Sequence, residues 1–190
     1  MSTHRKSLAI AGILAASLTL AACVPTESGA GGSSSSSTEG FNDQDVMFAQ
    51  MMIPHHQQAV EMSDMILAKQ GIDPQVTELA QTIKDEQEPE IQQMEGWLED
   101  WDASAEMGEM DHSMSGMMSD EEMGNLDSAS GDEASRLFLE QMIEHHNGAI
   151  EMAQTELDEG EYPEATELAQ TIINAQQAEI DEMTEILSTL

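Results

Sequence analysis

Met51-Met52-Ile53-Pro54-His55-His56-Gln57-Gln58-Ala59-Val60-Glu61-Met62 decides the fold, because it occurs twice. The second copy is Gln141-Met142-Ile143-Glu144-His145-His146-Asn147-Gly148-Ala149-Ile150-Glu151-Met152. A second block follows the same plan. Thr77-Glu78-Leu79-Ala80-Gln81-Thr82-Ile83 returns unchanged as Thr166 to Ile172. An internal repeat fixes architecture before any local reading does. Here it makes the chain a duplicated unit, with one His-His pair in each half.

Both copies carry helical signals. Asn42 or Asp43 can cap a first helix, which the apolar spacing extends to about Gln70, with Gly71 as its C′ residue. Asp73-Pro74 restarts the chain as N-cap and first helical residue, and that helix reaches about Trp101. The second half repeats this from about Asp132 to Glu159, breaks at Gly160, and restarts at Pro163 for a helix to about Thr189. Pro54 and Pro89 lie inside helices and predict local kinks. Four long helices in two hairpins predict an all-α, antiparallel four-helix bundle.

The bundle begins at Asn42, with one hairpin over residues 42–101 and the other over 132–190. Residues 1–22 read as a lipoprotein signal peptide: basic His4-Arg5-Lys6, an apolar run from Leu8 to Leu20, then Leu20-Ala21-Ala22-Cys23. Cys23 is the expected lipidation site. It is also the sole cysteine, so no intrachain disulfide can form. Residues 23–41 are Gly/Ser-rich and read as a flexible tether. The expected location is outside the cytoplasm, on the cell membrane through the lipid alone.

Charge excludes one class of partner. The chain has 5 Lys+Arg against 38 Asp+Glu. Nucleic-acid binding needs a basic footprint, and none exists here. Cations are favoured instead, although most of these carboxylates read as a solvated surface.

At roughly 100° per residue, Phe48, Met52, Ala59, Met62 and Ile66 form one stripe of the first helix. His55 falls within it and His56 at its edge. Phe138, Met142, Ala149 and Met152 repeat the stripe, with His145 inside and His146 at the edge. On the second helix the inward stripe is Ile83, Gln87, Glu90, Met94 and Leu98. On the last it is Ile172, Gln176, Glu179, Met183 and Leu187. Folding each hairpin at its turn brings all four His level with Gln87, Glu90, Gln176 and Glu179. Met52, Met142, Met94 and Met183 should lie about one turn away.

Such a polar layer has a structural reading, a hydrogen-bonded network that fixes register. Paired imidazoles beside carboxylates and thioethers favour a metal, and imidazole plus thioether suits copper as Cu(I) or Cu(II). The candidate core ligands are therefore His55, His56, His145, His146, Met52, Met62, Met94, Met142, Met152, Met183, Glu90 and Glu179. A second set lies in the linker, residues 102–131: Met107, Met110, His112, Met114, Met117 and Met118. Gly and Ser break up the first half of this linker, which reads as a mobile loop that binds Cu(I) separately from the core. Ser119 can cap a short helix to about Asp127, in which Met123 and Leu126 should pack.

Di-iron bundles place Glu-x-x-His on facing helices, but the sole such spacing here is Glu109 to His112, in the linker. No nucleophilic triad signature, phosphate loop or CxxC motif occurs. An enzyme is therefore not expected. The alternatives to a metal binder are a structural or interaction lipoprotein with a packing-only His layer, and a metal-centred redox enzyme.

Met52 to Met62 resembles the M-I-P-H-H-x-x-A-V-x-M pattern of the bacterial domain-of-unknown-function family 305. Gln87 to Met94 and Gln176 to Met183 resemble its Q-x-x-E-I-x-x-M pattern. The resemblance spans about Asn42 to Leu190. It implies a ferritin-like bundle outside the cytoplasm and, for some members, copper handling. Glu144 and Gly148 depart from the pattern, and neither departure removes a candidate ligand.

Overall fold

The computed structural model of the protein describes residues 40–105 and 114–190. Five α-helices and no strand are present among the described residues: α1 (Asp43–Leu67), α2 (Pro74–Asp100), α3 (Asp120–Ser128), α4 (Gly131–Glu159) and α5 (Pro163–Thr189). The four long helices form the expected bundle, and α3 lies on the connection between the hairpins. The leader, the tether and Cys23 lie outside the described residues, as do Met107, Met110 and His112.

Local chemistry sets the helix ends. The Asn42 side chain accepts the N–H groups of Gln44 and Asp45, and the Asp45 carboxylate accepts the Asn42 N–H, so α1 starts on a capping box. It ends at Leu67, earlier than the expected Gln70. Ala68 is the C-cap, and Gly71 takes φ +75° in the turn beyond rather than at C′. Asp73 and Pro74 open α2 as read from the sequence. The helical hydrogen bonding of α1 and α2 continues past Pro54 and Pro89. Ser119 caps α3 in a second capping box with Glu122.

Contacts at the two ends make the packing antiparallel throughout. At one end Ser135 Oγ of α4 accepts the Asp73 N–H, tying the α1–α2 turn to the start of α4. At the other, Asp45 of α1 accepts the N–H groups of Glu161 and Tyr162 in the α4–α5 turn. Trp97 and Trp101, at the end of α2, pack edge-on against Tyr162 with ring centroids 5.7 and 5.2 Å away, and Phe41 stacks on Trp101 at 4.7 Å.

The apolar core is divided. One cluster holds Phe48, Met52, Met94, Ala149, Met152 and Ile172. The other holds Ala59, Met62, Ile83, Phe138, Met142 and Met183. The four histidines belong to neither cluster, and each is fully buried.

Candidate metal centre

His55 and His145 sit at the same place in the two copies, and they meet. Their ring centroids are 3.7 Å apart with planes tilted by 40°. The antiparallel pairing of α1 with α4 puts these repeat-equivalent positions opposite each other. Residues one step on then point roughly 100° away. His56 accordingly turns to α2, where its Nε2 lies 2.8 Å from a Glu90 carboxylate oxygen. His146 turns to α5, with Nε2 2.7 Å from Glu179. The layer predicted by folding each hairpin at its turn is therefore formed. Gln87 and Gln176 are buried with it, each 3% exposed.

The hydrogen bonds assign the proton in three rings. An ionised carboxylate and a backbone carbonyl can only accept. Nε2 therefore carries the proton in His56 and His146. It does so in His55 as well, where Nε2 donates to the Ser115 carbonyl at 3.2 Å. Nδ1 is then the nitrogen left open in each of these three rings. No Nδ1 among them has a hydrogen-bond partner in the protein, and His145 lacks one at both nitrogens. Buried polar atoms left without partners cost free energy. Imidazole backed on one nitrogen by a carboxylate and free on the other is the arrangement in which proteins present histidine to metals.

Electrostatics hold the inner pair neutral. Burial, then the neighbouring His56, lowers the His55 pKa to about 3. Burial, then His55, His146 and His56, holds His145 well below the ordinary range. Neutral rings in physiological conditions suit ligation, since a protonated imidazole offers no lone pair.

Thioethers flank the layer on both sides. Met52, Met94 and Met152 lie in one apolar cluster, and Met62, Met142 and Met183 in the other. All six are at least nine-tenths buried. Glu90 and Glu179 reach the layer as hydrogen-bond partners of imidazole. One Glu179 oxygen, Oε1, has no partner. Among the described residues, no group of three or more His, Cys, Asp and Glu side chains converges as a ready ligand set. An ion held here would recruit sulfur or turn an imidazole.

Where it is described, the linker packs on the bundle at residues 114–118. Met118 is 6% exposed and packs in the cluster of Met62, Met142 and Met183, while Met114 and Met117 are half-buried. Gln58 binds the backbone of Met118 in both directions: its amide oxygen accepts the N–H at 2.7 Å, and its amide nitrogen donates to the carbonyl at 2.9 Å. Met123 and Leu126 pack as expected.

Sequence reading passed over three acids near these elements. Glu86 of α2 is pushed up by burial and then by Glu179 and Glu90, which places the α2 and α5 carboxylates within electrostatic reach of one another. Glu90 also lines a cavity of about 340 Å³ with Gln93, Glu164, Glu167, Leu168 and Thr171. Asp45 and Glu156 are fully buried against each other at the end of the bundle. Their surroundings in sequence are as acidic as any solvated helix face, so nothing there marked them.

The family described as a domain of unknown function (DUF305) matches residues 45–187. Three solved structures are similar over most of the chain. A DUF305 protein from Streptomyces coelicolor, described as secreted, is 32% identical, with 77% of this chain and 93% of that one covered and a TM-score of 0.73. A DUF305 fragment from Deinococcus radiodurans is 33% identical, with 80% and 100% covered and a TM-score of 0.72. CopM in its Cu(II)-bound form is 34% identical, with 76% and 96% covered and a TM-score of 0.66. CopM structures also exist with Cu(I) and with silver bound. No curated protein matches the chain.

Proposed function

The chain belongs to the DUF305 family, and from that premise we propose that it is an extracytoplasmic lipoprotein that binds copper for sequestration or transfer. One observation carries the reading: four buried imidazoles with no partner on any Nδ1, two of them backed by carboxylates. Similarity to CopM supports copper in particular, because that protein is seen with both oxidation states bound. The donor chemistry agrees. His55, His56, His145 and His146 offer nitrogen suited to Cu(II), and six buried thioethers on either side offer sulfur suited to Cu(I).

Copper is cargo in this reading, and the protein is not an enzyme. The residues supply binding, exclusion of water and fixed imidazole tautomers. The cavity beside Glu90 gives cations an acidic approach, since Glu164 and Glu167 line it with Glu90 on the outer side of His56. Location rests on the lipobox at Cys23 and on the relative described as secreted. No described helix is long and apolar enough to cross a membrane.

A packing-only layer is the second reading. It draws on the absence of three convergent His, Cys, Asp or Glu donors among the described residues. Titration of the full chain with Cu(I) and Cu(II), beside a variant with His55, His56, His145 and His146 all changed to Gln, separates the two. Copper binding that is tight in the parent and lost in the variant supports the proposal. Equal binding by both proteins, or none by the parent, refutes it.

A further inference from the structure

Positions 58 and 148 are equivalent in the repeat, each three residues after the first histidine of its pair. They carry a glutamine and a glycine, and both are engaged by the same short segment of the linker. Gln58 grips the Met118 backbone with two hydrogen bonds. Gly148 lets the segment lie directly on α4. A Cβ there would stand 2.0 Å from the Ser115 carbonyl oxygen and 2.8 Å from Gly116 Cα, closer than any real contact permits. Gly116 has φ +79°, a conformation glycine adopts readily, and a Cβ on it would meet the Glu144 and His145 carbonyl oxygens at 2.7 and 2.9 Å. Between these anchors the Ser115 carbonyl accepts from His55, and the Ser115 hydroxyl donates to Glu151 of α4 at 2.7 Å.

We infer that Ser115–Met118 is a clasp that covers the imidazole layer on its α1–α4 side, held by the two diverged repeat positions Gln58 and Gly148. This builds on the copper reading and changes it. The clasp brings Met118 into the apolar cluster beside the layer, so linker sulfur and core imidazole belong to one site. It also breaks the symmetry of the pair: the Ser115 carbonyl fixes the tautomer of His55, and no clasp group hydrogen-bonds His145. The same repeat position thus carries a hydrogen-bonding side chain in one half and no side chain in the other, and both meet this segment.

The test uses the full chain and its G148A and Q58A variants, first without metal. Alanine is the better helix former, so G148A keeps α4 while expelling the clasp. Amide exchange at Met118 and deuterium exchange at the imidazole carbon of His55 should each rise about tenfold or more in both variants, with helix content unchanged. Retained protection in either variant overturns the clasp. Should G148A prove unstable, Q58A alone decides, because it leaves every backbone contact of α4 untouched. Cu(I) release to a chelator is then measured. Release about tenfold faster from the variants supports a single site, and unchanged release overturns that part. A parent chain that takes up no Cu(I) refutes the copper reading, while metal-free exchange still decides the clasp.

Discussion

His55 and His145 face each other with ring centroids 3.7 Å apart, at the pseudo-equivalent centre of a duplicated bundle. Two protonated rings could not share that space. Burial, then repulsion from neighbouring histidines (His56 and His146 for His55; His55, His146 and His56 for His145), keeps both neutral, with His55 lowered to about 3. Unfolded histidine takes up a proton near pH 6.5, so the unfolded chain binds more protons below that value. The stability contributed by this neutral pair is therefore lost as pH falls from about 6.5 toward 3. Ring-proton NMR of the metal-free protein should show flat shifts for His55 and His145 between pH 8 and 5. A midpoint near 6.5 for either would contradict their burial.

Glu90 and Glu179 each hold an imidazole Nε2, at 2.8 and 2.7 Å. If copper binds on the opposite nitrogen, these carboxylates set ring orientation and basicity from outside. The double variant E90Q/E179Q can still accept the Nε2 proton but carries no charge. Its copper affinity should fall about 10- to 100-fold, the usual cost of losing such support. Affinity equal to the parent would mean that the carboxylates serve packing alone.

The repeat made most of this layer legible. Matching copies fixed the hairpins, and counting from each turn brought the four histidines to the level of Gln87, Glu90, Gln176 and Glu179, while the pairing of His56 with Glu90 and His146 with Glu179 came only with the structure. That arithmetic works because α-helices rise uniformly and the turns are short. The clasp was invisible for a physical reason. Gly148 in a helix reads as a small loss of propensity, and its purpose shows only when the Ser115 carbonyl is found where a Cβ would be. Likewise, burial of Asp45 and Glu156 depends on which turn packs over them, and spacing along one helix does not contain that contact.

Cys23 carries the proposal about location. The basic n-region, the apolar run and Leu20-Ala21-Ala22-Cys23 motivate it. Replacing Cys23 with Ser should abolish incorporation of labelled fatty acid and the cleavage that depends on it. Unchanged labelling of C23S would remove the anchor from the account.

Asp45 and Glu156 give the bundle a second pH dependence, opposite in sign to the first. Asp45 accepts the N–H groups of Asn42, Glu161 and Tyr162. Glu156 lies against it, and burial, then hydrogen bonding and repulsion from Asp45, raises its pKa from 4.5 to about 8. The folded state therefore holds a proton that the unfolded chain releases at a much lower pH. This contribution is full below about pH 4.5 and is lost as pH rises through about 8. E156Q keeps a neutral, similarly shaped side chain at every pH. The parent should lose stability relative to E156Q between pH 5 and 9, by on the order of 2 kcal/mol once screening is allowed for. Denaturant unfolding of the two metal-free proteins at several pH values measures the difference directly. Parallel curves across that range would show that Glu156 is ionised in the folded protein and that the buried pair shares no proton.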